Sequence, residues 1–366
     1  MSVLDAIEPC FAASYAEARD RFRAACKARG VAPRTYDNPN LGPRGEPLAT
    51  DVAWVGTASA SRVMVLVSGT HGAEGFCGSG CQLDWLRERH ALPDDVAVLL
   101  VHAINPHGFA WIRRVTEEGC DLNRNFVDFD APLPENPGHD ALVDCFVPAS
   151  LDDETIRATE ARIAAYRAEH GETAFQSARK AGQYRHAHSV FFGGFAPTWA
   201  RRTLEAIIAD HDLPTRRWVS VVDYHTGLGP FGYGEPICDH PLESEAMRRV
   251  LAMYGDSVGV PELGTSSSIP LHGTARELWS RMLGEHYTYV ALEYGTYATD
   301  NGRIAMRADH WLHAQGAFDW DAPHAREIKS ALRRQFYPDT PDWKEMVLWR
   351  SRQVQRQTLA GLAAPG

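Results

Sequence analysis

Three apolar runs along this chain each end in residue types able to bind a metal or move a proton. Val63-Met64-Val65-Leu66-Val67 leads into His71-Gly72-Ala73-Glu74, and Trp218-Val219-Ser220-Val221-Val222 leads into Asp223-Tyr224-His225-Thr226-Gly227. The third, Tyr287-Thr288-Tyr289-Val290, leads into Ala291-Leu292-Glu293-Tyr294-Gly295. Short apolar runs without polar alternation predict strands buried on both faces. Further strands are expected at about 52–55 and 96–103, with a helix at about 77–89 between them. This strand, helix, strand order predicts an α/β protein: a mixed central sheet flanked by helices. In open sheets of that kind, ligand sites lie beyond the C-terminal ends of the strands, where these polar residues fall.

Elsewhere the pattern is helical or broken. Residues 5–29 place Ala6, Phe11, Tyr15, Ala18 and Phe22 at helical spacing among charges, predicting an amphipathic helix packed on the body. Residues 35–47, rich in Asn, Gly and Pro, read as a loop, as do the Pro-rich stretch 128–137 and the Gly/Pro-rich stretch 227–236. Helices are expected at 151–180, 199–210, 243–253 and 274–282, with a Ser-rich loop at 265–268 and a helical tail interrupted by Pro338 and Pro341. No internal repeat or low-complexity linker divides the chain, so residues 1–366 read as a single domain.

Composition narrows the function classes. The 366 residues are 44% hydrophobic and 23% charged, as in soluble globular proteins. A net charge of −10 without a dense basic block argues against nucleic acid as a partner. Residues 1–20 lack a basic segment followed by an apolar core, and no apolar run approaches the roughly 20 residues of a membrane helix. Seven cysteines in such a chain suggest reduced thiols and a cytoplasmic setting. Cys77 and Cys81 share a helical face and read as small apolar residues rather than metal ligands.

Catalytic zinc takes three protein ligands and keeps one position for water or substrate. His71 and Glu74, three apart just after a strand, can aim at one ion, and His225 at the end of a second strand completes a His2Glu set. The small residues Gly72, Ala73 and Gly75 are expected to leave room for metal and substrate.

The motif Asp121-Leu122-Asn123-Arg124-Asn125-Phe126 stands about fifty residues after His71-Gly72-Ala73-Glu74 and follows Asn105-Pro106-His107-Gly108. With Ser68-Gly69-Thr70-His71, Asp223-Tyr224-His225-Thr226-Gly227 and Glu293-Tyr294-Gly295-Thr296 it resembles the zinc carboxypeptidase superfamily, which includes aspartoacylases and succinylglutamate desuccinylases. The wording is closest to a largely uncharacterised bacterial branch, and the likeness runs from about residue 63 to 313. It implies a zinc carboxypeptidase-like (phosphorylase/hydrolase-like) fold, one Zn2+ ion held by His71, Glu74 and His225, and Glu293 as general base and later general acid. It also implies Arg114, with Arg113 as its rival, as the arginine that polarises the scissile carbonyl, Arg113 otherwise counting with Asn123 and Arg124, which grip the substrate carboxylate, and Asp121 behind the first zinc histidine.

Elementary chemistry suits these roles. Burial raises a carboxylate's pKa toward the range a general base needs, which fits Glu293. A planar guanidinium pairs bidentately with a carboxylate, which fits Arg124, and a carboxylate on the far imidazole nitrogen sets the tautomer of a ligand such as His71. The expected activity is hydrolysis of a peptide or N-acyl bond beside a free carboxylate, on a small-molecule or short-peptide substrate. Two departures from the carboxypeptidases favour a small N-acyl amino acid or modified short peptide as much as a protein C-terminus. The tyrosine expected some twenty residues before the base is missing, the region reading Ile269-Pro270-Leu271-His272-Gly273. About a hundred residues also separate Arg124 from His225, so residues 128–200 are expected to be a helical insertion near the cleft mouth.

Competing readings are a metal-binding protein without catalysis and a nucleotide site. Gly227-Leu228-Gly229-Pro230-Phe231-Gly232 matches the dinucleotide fingerprint, but Tyr233-Gly234-Glu235-Pro236 is a poor helix opening. Ser79, within Cys77-Gly78-Ser79-Gly80-Cys81, lacks the first glycine of a nucleophile elbow. His272 and His286 precede Glu293 and stay as weak candidates.

Overall fold

The computed structural model describes residues 7–364. In chain order the strands are β1 (Arg34–Leu41), β2 (Pro47–Val55), β3 (Arg62–Val67), β4 (Val96–His102), β5 (Trp218–Phe231), β6 (Gly234–Ile237) and β7 (Tyr287–Gly295). They form one sheet in the order β1-β2-β4-β3-β5-β7-β6. The four central strands β4, β3, β5 and β7 run parallel, and β2 and β6 join them antiparallel. The expected mixed α/β sheet is therefore what the chain builds.

The helices are α1 (Tyr15–Ala28), α2 (Gly75–Glu88), α3 (Pro106–Ala110), α4 (Pro137–Phe146), α5 (Asp153–Lys180) and α6 (Trp199–Asp210), then α7 (Glu245–Tyr254), α8 (Ala275–Leu283), α9 (Thr299–Ala314), α10 (Pro323–Phe336) and α11 (Pro341–Ala363). Alternation along each central strand sends side chains to opposite faces. Met64, Leu66, Val98, Leu100, Val222 and Leu292 pack against Phe22 of α1, Trp85 of α2 and Val347 of α11. Val63, Val65, Leu99, Val101, Val219 and Val221 face Leu204 and Ile207 of α6 and Trp279 of α8. A third cluster, with Phe146, Phe175, Met306 and Phe336, joins α4, α5, α9 and α10. Cys77 and Cys81 are buried in the first of these cores. No helix among the described residues is long and apolar enough to cross a membrane.

Three expectations change. Residues 5–29 do not form one helix: a single turn at Glu8–Cys10 precedes α1, and Ser14 begins α1 by accepting the Glu17 N–H. Asp5 and Ala6 lie outside the described residues. The loop expected at 35–47 is mostly the edge strand β1, paired to β2 with a register shift between Asp37 and Leu41. An edge strand needs hydrogen bonds on one side only, so it tolerates Pro39. The Gly-rich run 227–236 likewise extends β5 and begins β6. Its glycines adopt positive φ at Gly227, Gly229 and Gly232, bending a chain that still pairs with β7. The element after Gly232 is thus a strand and not the helix a dinucleotide site requires.

Candidate metal centre

The parallel register brings Val67 of β3 opposite Asp223 of β5, and His225 opposite Glu293 of β7. Three chain segments distant in sequence therefore end at one place. Beyond β3, a turn at Gly72–Glu74 enters α2 and swings Glu74 back toward His71. An added Cβ at Gly72 collides with the backbone of Gly108 and Phe109, and at Gly75 it meets the Phe109 ring at 2.7 Å. These glycines thus admit α3 against the turn, rather than leaving room for metal and substrate as expected. Ala73 packs into the third core cluster.

His71, Glu74 and His225 are buried, with ligand-type atoms all within 4.8 Å of one another. His71 Nδ1 lies 2.9 Å from Glu74 Oε1 and 3.2 Å from His225 Nδ1, and His225 Nδ1 lies 3.3 Å from Glu74 Oε2. Tetrahedral zinc with bonds of about 2.0–2.1 Å sets donor atoms roughly 3.3 Å apart, so this donor set fits such an ion by both spacing and chemistry. Of the far nitrogens, His71 Nε2 is hydrogen-bonded to Asp121 Oδ1 at 3.1 Å, whereas His225 Nε2 lies 3.1 Å from Asp223 Oδ2 as a charge pair without hydrogen-bond alignment. Asp223 in turn accepts from Thr70 Oγ1 at 2.9 Å and Tyr289 Oη at 3.0 Å.

Charge in this cluster is strongly coupled. Burial alone raises the pKa of Glu74, but His71, His225 and Arg114 hold the carboxyl well below the usual range. Burial opposes charge on His225, yet Asp223 and Glu74 push its pKa well above that of a free imidazole. Arg114 donates to Glu74 Oε1 through Nη1 (2.9 Å) and to Asp121 Oδ2 through Nε (3.0 Å). Glu293 accepts the Leu228 N–H at 3.0 Å, while burial first and the nearby Glu74 charge second push its pKa up to about 8. Gly227, at φ +128°, carries the chain past the Glu293 carboxylate in a conformation that favours glycine.

A cavity of about 130 Å³ opens on the cluster, its wall including Arg114, Asn123, Arg124, Phe191, Tyr289 and Glu293. Arg113 is turned away: its Nε bonds Asp309 Oδ2 at 3.0 Å, and the residue does not line the cavity. Arg114, not its neighbour, therefore faces the site. Arg124 lines the cavity but donates to the main-chain carbonyls of Lys180 (3.0 and 2.8 Å) and Asn123 (2.7 Å), leaving two of its five N–H groups. Asn123 Oδ1 accepts the Ala275 N–H at 2.8 Å, fastening the motif to α8. In the region where the resemblance implies a tyrosine, Ile269 and Leu271 line the wall. His272 is absent from the wall, and His286 lies beside Trp218 at the other end of β5.

Sequence reasoning missed three groups of the site: Asp223 behind His225, and Arg179 and Lys180 in the cavity wall. Asp223 was legible, because residues i and i+2 of a strand share a face and His225 follows at that spacing. Arg179 and Lys180, at the end of α5, left no local signal; only the tertiary course of that helix brings them to the wall.

No curated protein matches the chain. Among solved structures, an aspartoacylase family protein from Mesorhizobium loti matches at 13% identity with TM-score 0.39, covering 77% of this chain and 67% of its own. The murein-tripeptide amidase MpaA from Escherichia coli O157 matches at 17% and 0.36, covering 77% and 93%. A succinylglutamate desuccinylase from Chromobacterium violaceum matches at 15% and 0.36, covering 87% and 74%. A family model described as "Protein of unknown function (DUF2817)" matches residues 11–350, nearly the whole chain, and the protein belongs to that family.

Proposed function

We propose that this protein is a zinc-dependent hydrolase that cleaves an amide bond beside a free carboxylate. One observation above all supports the reading: His71, Glu74 and His225 converge next to a buried carboxylate, Glu293, in a cavity also lined by Arg114 and Arg124. A divalent ion held by those three residues supplies Lewis acidity toward a carbonyl and lowers the pKa of water. With Asp121 bonded to Nε2 of His71 and Asp223 beside Nε2 of His225, the Nδ1 atoms are the ones that would hold the ion. Glu293, in a site that burial makes proton-avid, takes the proton of the attacking water and returns it to the departing amine. Arg114 keeps three N–H groups beyond those given to Glu74 and Asp121, and its fixed charge stabilises the oxyanion that forms on the carbonyl. Asn123 and the two remaining N–H groups of Arg124 position the substrate carboxylate.

Between peptidase and deacylase, the size of the site favours a small substrate. Its roughly 130 Å³ matches cavities that hold a benzene-sized group, so a short acyl chain or one amino-acid side chain fits. A metal-binding protein without catalysis has no use for a carboxylate desolvated beside the donor set, where it costs stability.

The test combines metal analysis of the purified protein with a panel of dipeptides and N-acyl amino acids, each with and without chelator. Chelation abolishes turnover if the reading is right, and Glu293→Gln lowers kcat by at least about 100-fold while zinc content stays at one per chain. Undiminished turnover in that variant refutes the mechanism.

A further inference from the structure

One wall of the cavity comes from α5, which ends in Arg179 and Lys180. Arg179 is only 4% exposed, yet its Nε and Nη1 have no acceptor among the described residues. Its single contact is a long one, Nη2 to the Thr299 carbonyl at 3.4 Å. The nearby carboxylates are engaged by other arginines. Glu160 takes Arg303 at 2.7 Å and Arg307 at 2.8 Å, while Asp300 takes Arg303 and Arg167, each at 3.5 Å. A buried guanidinium without a counter-charge is costly, and burial with the Arg303 charge lowers its pKa to about 10.

A second feature faces the same end of the cavity. Helix α9 starts at Thr299, no side chain caps it, and Thr299 and Gly302 line the wall with Arg179. The N-terminus of a sixteen-residue helix presents unsatisfied N–H groups and positive potential. Lys180 adds a third source of positive charge on that wall.

We propose that Arg179 and the first turn of α9 receive a second anionic group of the substrate, remote from the scissile bond. The substrate is then an acidic amide: one carboxylate beside the cleaved bond at Asn123 and Arg124, and another anion held by the α5–α9 wall. This rests on the hydrolase reading for which group is cleaved, and it makes Arg179 a specificity-determining residue. A buried guanidinium with two nitrogens lacking an acceptor suits a planar or tetrahedral oxyanion better than a neutral amide.

The test measures binding without turnover, by calorimetry on zinc-loaded Glu293→Gln protein. The probes are N-acetyl-L-glutamate, its neutral isostere N-acetyl-L-glutamine, and N-acetyl-O-phospho-L-serine. At least one acidic probe binds about 10- to 100-fold more tightly than the glutamine probe, and which one does tells carboxylate from phosphate. Adding Arg179→Gln brings that ratio to within about threefold, and Arg179→Lys leaves an intermediate ratio because an ammonium donates as a point charge. Equal binding of all three probes overturns the proposal, as does a ratio that survives Arg179→Gln. A uniform loss of affinity for every probe also overturns it, since that marks a structural role. Should Arg179→Gln fail a thermal-melt check, the lysine variant decides, and a ratio equal to that of Arg179 overturns the proposal. Charge preference without turnover of any amide by the wild-type protein sinks the hydrolase reading alone; turnover without charge preference sinks the anion subsite alone.

Discussion

Each imidazole of the cluster has a carboxylate behind it at 3.1 Å: Asp121 hydrogen-bonds His71, and Asp223 faces His225 as a charge partner. Such partners fix ring orientation and raise ligand basicity, so Asp121→Asn and Asp223→Asn each lower zinc affinity about 10- to 100-fold, read by competition with a chromogenic chelator. Unchanged affinity in both would mean that the imidazoles are oriented by the strands alone. The adjacent arginines separate by consequence. Arg113 shares the buried Asp309 with Lys329, whose Nζ lies 2.5 Å from Asp309 Oδ1. Arg113→Ala therefore costs about 1–3 kcal/mol of stability in urea denaturation while the folded protein keeps its kcat. Arg114→Ala does the reverse to activity, lowering kcat through loss of charge at the carbonyl. Sequence favoured Arg114 by its place seven residues before Asp121, but could not cleanly separate it from its rival Arg113. The direction of each side chain separates them.

At the scale of elements, the turn that carries two of the three proposed ligands, His71 and Glu74, depends on how closely α3 approaches it. Gly72 has no space for a Cβ against the Gly108 and Phe109 backbone. Gly72→Ala thus forces the turn off α3, with an expected loss of about 1–3 kcal/mol and weaker zinc binding from the same displacement. Denaturant melts of the apo and zinc-loaded protein check both effects; a variant as stable as wild type contradicts the packing. The central strands were readable because runs buried on both faces lack alternation. The ends of the sheet were not. Strand β1 pairs on one side only and keeps Pro39 and its asparagines, and β5 continues through glycines with positive φ, so both carry the composition of loops.

For the whole molecule, several histidines are buried and kept neutral. Burial lowers the pKa of His102, His139 and His310 to about 4 and of His240 to about 3, against 6.5 when exposed. The unfolded chain therefore binds more protons below pH 6.5, and stability falls as pH drops from there through about 4. The loss comes to roughly 2.5 kcal/mol per histidine near pH 4.5, so the melting temperature should decline steadily between pH 7 and 4.5. A flat profile over that window contradicts the neutral burial of these rings. Zinc binding should steepen the decline, because protons compete for the ligand imidazoles.

What the sequence determined by itself is the sheet centre and the residues at its C-terminal edge. Both follow from local rules: continuous apolar runs make buried strands, and polar residues ending them must lie where strands stop. His71, Glu74, His225 and Glu293 were all legible on that basis, aided by the Asp121–Phe126 motif. Only the tertiary structure decided which groups face the cavity from elsewhere. Arg179 and Lys180 lie more than forty residues from any motif and end a charged, mostly exposed helix, where arginine is ordinary. Their place in the wall depends on the packing of α5 against α4, on its contacts with α9 and on the bend at Gly171, long-range consequences that no local pattern encodes.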